Sequence, residues 1–195
     1  MSAYILGING SPRKGNTYAM LKAVLSEASA RGAVTELVNL GDYEIRYCMG
    51  HPKEVCEKGC PLDDGFGEIA GKLIDADCII IGSPTFMGDV SGILKNFIDR
   101  TVHLRRIGFK LRDKVGVGLV VGAHTGGGQD LALRTIHTFF LKHNMLVVSE
   151  GEPSSQSGVI AVAREVGEVE ENETVMKECR RLGERVVEVL RMLGR

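Results

Sequence analysis

The sequence has no apolar run that approaches the roughly 20 residues a membrane-crossing helix requires. Its apolar stretches, such as Cys78–Ile81 and Val117–Val121, are far shorter, so no membrane association is expected. Net charge is also nearly absent, with 24 basic residues against 25 acidic ones giving −1. That balance argues against a chain built to wrap nucleic-acid phosphates. The five cysteines do not form an even set, and no charged-then-apolar leader precedes Tyr4–Ile8, which already reads as a buried strand. A disulfide framework is therefore not expected; metal binding, redox chemistry or plain burial must account for the thiols. The expected location is cytoplasmic. Repeats, low-complexity tracts and clear linkers are missing too. Only Glu150–Gly158, with its Gly, Pro and Ser, reads as a mobile loop.

What is present is a globular composition, 44% hydrophobic and 25% charged. The 195 residues suit one domain with a substantial core. Glycine supplies 25 residues, well above its usual share of about 7%. Many of these glycines follow apolar runs, where the backbone must turn sharply or approach a ligand. Strands are expected at Tyr4–Asn9, Val34–Leu40, Ile79–Ile81, Val115–Val121 and Met145–Ser149. Helices are expected at Thr17–Ala30, Phe66–Ala76, Val90–Val102, Gln129–His143 and Glu173–Leu193. An irregular insertion spans about 42–64. Strands this short and apolar are buried on both faces, as in parallel sheets covered by helices. The expectation is one three-layer α/β domain over residues 1–195.

In such sheets ligands bind beyond the carboxyl ends of the strands. Three connections lie there: Gly10–Thr17, Ser83–Asp89 and Gly122–Gln129. The first, Gly10-Ser11-Pro12-Arg13-Lys14-Gly15-Asn16-Thr17, runs from a strand into a helix start. Backbone N–H groups and the positive end of the helix dipole converge at that point and make an anion site. Ser11, Asn16 and Thr17 add side-chain donors, and Arg13 or Lys14 adds charge. The spacing resembles a Walker loop, but Asn16 stands where that loop needs lysine, which disfavours nucleoside triphosphate hydrolysis. It is not G-x-G-x-x-G either, which disfavours a dinucleotide pyrophosphate. Ordinary helix capping would use the same Ser and Asn, yet the loop is longer and richer in donors than capping needs. A compact terminal phosphate is the expected ligand.

These residues resemble the flavodoxin-like NAD(P)H-dependent FMN reductases and, within them, the iron–sulfur flavoproteins. Residues 10–17 look like the family's FMN phosphate loop. Gly82-Ser83-Pro84-Thr85-Phe86-Met87-Gly88-Asp89-Val90-Ser91, continuing into Leu94-Lys95-Asn96-Phe97-Ile98-Asp99-Arg100, looks like its second flavin loop and helix. Gly126-Gly127-Gly128-Gln129 looks like its third. The resemblance covers about residues 4–150 and implies a flavodoxin-like fold with a five-stranded parallel sheet in the order 2-1-3-4-5, helices on both faces. It implies FMN bound by Ser11, Arg13, Gly15, Asn16, Thr17, Ser83, Pro84, Thr85, Phe86, Met87, Gly88, His124, Gly126, Gly127 and Gly128. An isoalloxazine ring needs an apolar slot and donors where negative charge gathers on reduction. Pro84 and Phe86 offer the apolar surface, and Thr85 and exposed amides offer the donors. His124 has a second reading as an ordinary surface residue of a strand-end loop. The chain departs from the family at Phe86, where members often carry tyrosine. With no tryptophan anywhere, a strong aromatic stack needs a second subunit.

The insertion holds Cys48-x2-His51-x4-Cys56-x3-Cys60. Iron–sulfur flavoproteins carry four cysteines in this stretch; here His51 stands near the second and the following gap is longer. Three readings remain open: a [4Fe–4S] cluster on Cys48, His51, Cys56 and Cys60, a structural zinc on the same set, or a loop of reduced thiols. Cys78 and Cys179 read as core residues. Arg105, Arg106, Lys110, Arg112 and Lys114 form a basic connector that either is solvated or steers an anionic donor.

The leading functional reading is an FMN-binding oxidoreductase whose chemistry belongs to the flavin, since the sequence shows no triad and needs no catalytic side chain. The resemblance implies NAD(P)H or a ferredoxin as electron donor and a homodimer or homotetramer. If a cluster were present, electrons would pass singly between it and FMN. The alternatives are a non-catalytic flavodoxin-like electron carrier and a flavin-free zinc-binding module.

Overall fold

Each short apolar run that the sequence marks as a strand lands in one sheet, with side chains alternating between its two faces. The computed structural model describes residues 2–154 and 156–195. In chain order its elements are β1 (Tyr4–Asn9), α1 (Asn16–Ala30), β2 (Val34–Asn39), a 3₁₀ turn at Leu40–Asp42, α2 (Lys53–Glu57), α3 (Phe66–Asp75) and β3 (Cys78–Phe86). They continue with β4 (Asp89–Val90), α4 (Gly92–Arg100), α5 (Val102–Arg106), β5 (Val115–Gly122) and α6 (Gln129–Lys142). The last are β6 (Leu146–Val147), β7 (Val159–Val162), α7 (Glu168–Glu171) and α8 (Glu173–Met192).

The sheet runs β2-β1-β3-β5-β6, with β7 also paired to β5 and β4 paired to β3. All of these pairings are parallel except the short β3–β4 hairpin. On one face Ile5, Ile80, Val117 and Leu119 pack against α1 and α8; on the other Leu6, Ile8, Ile79 and Ile81 pack against α3, α4 and α6. That is the period of two expected for strands buried on both sides. Gly116 and Gly118 make room for α6: a Cβ on either would come within 2.6 Å of Phe140 or Leu133.

The five-strand expectation holds as a fold and needs correcting in detail. The fifth position is shared: β6 pairs only Val115 and Gly116, while β7 pairs Leu119 through Gly122. The strand expected at Met145–Ser149 is therefore two residues long, and Val159–Val162 supplies the rest of that edge. The third strand extends well beyond Ile79–Ile81, and Ser83–Phe86 belong to it rather than to a loop. Met87 and Gly88, with φ of 51° and 83°, turn it back into β4, the left-handed pair that a two-residue hairpin requires. The helix expected over Val90–Val102 is broken in two at Thr101, whose hydroxyl donates to the Ile98 carbonyl at 2.6 Å.

Candidate flavin site and cysteine loop

All three βα connections singled out in the sequence leave the sheet at the carboxyl ends of β1, β3 and β5, and they are fastened to one another. Gly10 N–H donates to the Gly82 carbonyl at 2.8 Å. Ser91 Oγ donates to the Gly10 carbonyl in a short hydrogen bond and accepts from Leu94 N–H at 3.2 Å, capping α4. Ser83, fully buried, accepts from Ser91 N–H at 3.1 Å and donates to the Pro84 carbonyl at 2.8 Å. The second and third connections meet backbone to backbone, since a Cβ on Gly128 would lie 2.4 Å from the Gly88 carbonyl oxygen. Gly126 and Gly128 both take positive φ, 74° and 92°, which suits glycine. Gln129 Nε2 and Gly127 N–H close the third turn by donating to the His124 carbonyl at 2.7 and 3.1 Å.

Along the first connection, some donors are used internally and some are not. Asn9 accepts from Ser11 N–H at 3.2 Å, and Ser11 Oγ accepts from Arg13 N–H at 3.2 Å. Thr17 is buried, and its hydroxyl and the Ser11 hydroxyl proton have no partner among the described residues. The first amides of α1 lack intrahelical acceptors, as at any helix start. Gly15 at its cap supplies no side chain to satisfy them. Asn16 is different. Its Nδ2 donates to the Glu165 carbonyl at 2.8 Å, and its Oδ1 accepts from Gly167 and Val169 N–H at 2.9 and 3.4 Å. Expected as a phosphate donor, it instead ties α7 to the loop. Lys14 is paired with Asp42 at 3.0 Å, and Arg13 is exposed.

Around the second connection Pro84 and Thr85 are half-buried, and Thr85 Oγ1 donates to the Val121 carbonyl at 3.5 Å. Phe86 is 47% exposed and Met87 stands wholly in solvent. His124 is exposed, and its Nδ1 lies 2.8 Å from Arg164 Nη2. The arrangement leaves the uncapped first amides of α1 at one end, and glycine backbone with an apolar tip at the other. A phosphate-bearing ring system fits that donor set.

The cysteine loop is held down by the opposite strategy. Arg100, 1% exposed, forms a fork on Asp64, with Nη1–Oδ2 at 2.7 Å and Nη2–Oδ1 at 3.1 Å, and its guanidinium stacks 4.7 Å over the Phe66 ring. It also donates to the Arg46 carbonyl at 2.8 Å and to Cys60 Sγ at 3.3 Å. Arg106 donates to the His51 carbonyl at 2.8 Å and to Cys56 Sγ at 3.0 Å. His103 Nδ1 lies 2.8 Å from the Cys56 carbonyl. Arg100, His103 and Arg106, three residues apart, thus line one side of the α4–α5 segment and grip the loop. Burial raises the Asp64 carboxyl pKa, but the hydrogen bonds from Arg100 and from Arg46 and Phe66 N–H outweigh it and hold it at about 2.

Cys48 and Cys60 are half-buried and Cys56 is buried. Among the described residues no group of three or more His, Cys, Asp or Glu is placed to hold a metal ion. Cys48, His51, Cys56 and Cys60 are therefore not brought together, whereas a cubane cluster or a tetrahedral zinc needs four donors turned to one point. The donor types suit a metal, but their placement in this structure does not fit either group. Cys78 and Cys179 are fully buried in the core, and burial pushes both thiols up, Cys179 to about 12.

Comparison with known proteins bears on this geometry directly. The family model described as NADPH-dependent FMN reductase matches residues 3–159. The chain belongs to the NADPH-dependent FMN reductase family. That assignment makes it an FMN-binding oxidoreductase, and an NAD(P)H-type redox partner or electron transfer goes with the family. It is similar to an iron–sulfur flavoprotein of Methanocaldococcus jannaschii, 39% identical over 190 residues covering 97% of this chain and 98% of that one. It is also similar to one of Methanosarcina thermophila, 37% identical and covering 90% of this chain and 93% of that one. Among solved structures, a flavodoxin-like, WrbA-like protein from Agrobacterium tumefaciens superposes with a TM-score of 0.69 at 23% identity, covering 98% and 99% of the two chains. That likeness bears on the flavodoxin-like fold. Among the described residues of this family member, no helix is long and apolar enough to cross a membrane.

Two sets of residues were missed in the sequence. The Arg100–Asp64 pair carried a signal, because a charged residue closing an apolar helix stripe needs a buried partner. Arg164 and the turn around it carried none, because their partners are distant in sequence: Glu165 meets Asn16 149 residues back, and Arg164 meets His124 40 residues back.

Proposed function

We propose that FMN lies across the three fastened connections with its phosphate at the start of α1. Ser11, Gly15 and Thr17, with the first helix amides, hold the phosphate; Arg13 adds charge, and Asn16 acts by bracing the loop. Ser83, Pro84, Thr85, Phe86, Met87 and Gly88 line the ring from one side, with His124 and Gly126, Gly127 and Gly128 on the other. The observation that carries this reading is the joining of three separate loops through Ser91, Gly10, Gly88 and Gly128, while Ser11 Oγ serves only as an acceptor among the described residues. FMN, when bound, supplies hydride and single-electron chemistry. The chain's own work is to hold the phosphate, keep Ser83 and Thr85 oriented, and leave a face accessible beside the exposed Phe86 and Met87. The donor is a reduced nicotinamide nucleotide or a ferredoxin-type protein. We further propose that the chain forms one domain with an insertion at about 42–64, works in the cytoplasm, and assembles as a homodimer or homotetramer.

The cysteine loop serves this reading as a docked flap rather than a redox centre. Its test is compositional. Protein purified without oxygen is expected to take up one FMN per chain, oxidise NADPH or NADH, and show Cys48, Cys56 and Cys60 as free thiols. Iron and sulfide in matched amounts would restore the cluster reading; zinc with no flavin uptake would overturn the flavin reading itself.

A further inference from the structure

A fourth connection reaches the same end of the sheet. β7 pairs with β5 in parallel from Leu119↔Val159 to Gly122↔Val162, so the turn after it emerges beside the third flavin connection. This turn is fixed on three sides. Asn16 holds Glu165 and Gly167. Glu168 Oε2 accepts from Arg164 N–H at 2.6 Å and Glu165 N–H at 3.0 Å. The Arg164 side chain then crosses to the third connection, donating from Nε to the Ala123 carbonyl at 3.2 Å and from Nη2 to His124 Nδ1 at 2.8 Å.

The last contact settles a proton. A guanidinium has no acceptor, so His124 Nδ1 must carry a lone pair, and the ring proton sits on Nε2. The Arg164 guanidinium is a cation. One edge of the third connection therefore presents an Nε2–H donor together with a full positive charge. Lys14, by contrast, is already paired with Asp42.

We propose that Arg164 is a positioning residue of the flavin site, fixing His124 as an Nε2–H donor and setting a positive charge beside the negative charge that the flavin ring gathers on reduction. The inference rests on the flavin placement proposed above. It assigns the turn after β7 to the electrostatics of that site. A charge that favours the reduced ring raises the flavin's potential in proportion to the logarithm of the ratio of its affinities for reduced and oxidised FMN.

The test uses the full chain with FMN and the variants Arg164→Gln and Arg164→Lys. Affinities for oxidised and reduced FMN and the midpoint potential are measured for each, with circular dichroism as the control for folding. Arg164→Gln is expected to lose about tenfold of the preference for reduced FMN, which is about 30 mV for a two-electron couple. Arg164→Lys, keeping charge but not the fork, is expected to recover part of it. In parallel, the nitrogen chemical shifts of His124 in the flavin-free chain are expected to report the Nε2–H form, becoming a tautomer mixture in Arg164→Gln. An unchanged affinity ratio in a folded variant that still binds FMN would overturn the role of Arg164 and leave the flavin reading intact. Failure of the unmodified chain to bind FMN would overturn both.

Discussion

The phosphate-type loop at Gly10–Thr17 and the cysteine loop at about 42–64 carry comparable numbers of chemically capable side chains, yet the fold treats them in opposite ways. In the first, the backbone is braced by Asn9, Asn16 and Ser91, and among the described residues Ser11 Oγ serves only as an acceptor. In the second, the cations of α4 and α5 occupy the sulfurs of Cys56 and Cys60 and a carboxylate of the loop. A loop whose scaffold contacts leave its donors unspent keeps them available to a ligand. One whose donors are spent on its own scaffold is a docked structural element.

The sharpest way to break this comparison is to undock the second loop. Asp64→Ala leaves the buried Arg100 guanidinium without its fork, a change expected to cost about 3–5 kcal/mol, measured by denaturant unfolding. FMN affinity per folded molecule should change little, because the phosphate loop is elsewhere. The same pair gives a pH signature. Asp64 is held at about 2, below its ordinary value near 4. Its contribution is therefore fully present above about pH 4 and is lost as pH falls through about 2. Thermal melts are expected to lose stability across that window in the unmodified chain and to show a shallower slope in Asp64→Asn.

A smaller effect should come from the contact that joins two of the flavin connections. Ser91→Ala removes the cap on Leu94 N–H and the bond to Gly10. Loss of such a cap costs about 1 kcal/mol, and here stability and FMN affinity should fall together. The first loop itself is expected to separate the two. Thr17→Ala should weaken FMN binding by about 1–2 kcal/mol, the worth of a hydrogen bond to a charged group, with little change in the unfolding midpoint. Cys56→Ser, by comparison, should leave FMN binding unchanged. Isothermal titration alongside unfolding curves distinguishes these variants.

How far the sequence reveals this arrangement depends on the range of the interaction. The buried strands and the Ser–Asn–Thr connection are local patterns, and Tyr4–Asn9 and Val115–Gly122 stand where apolar periodicity puts them. The fifth strand was misjudged because two short segments share the edge of β5, and neither is long enough alone to carry a strand signal. The break at Thr101 contains neither Pro nor Gly; it comes from a hydroxyl competing for the helix backbone. Asn16 illustrates the limit most clearly. Its type and position suit a phosphate, but a turn some 150 residues later claims its amide. A separation of 40 residues from His124 hides Arg164 in the same way. For the cysteines, spacing and the family resemblance suggest ligands as one of three readings; the arginines that claim two of the sulfurs lie on α4 and α5, 40 and 50 residues away.

The central claim, that the free donors at the start of α1 hold a terminal phosphate, is tested most directly by titrating the flavin-free chain with FMN and with riboflavin under the same conditions. FMN is expected to bind at least tenfold more tightly, as the loss of one or more charge-assisted hydrogen bonds implies. Equal affinities for FMN and riboflavin would contradict the account.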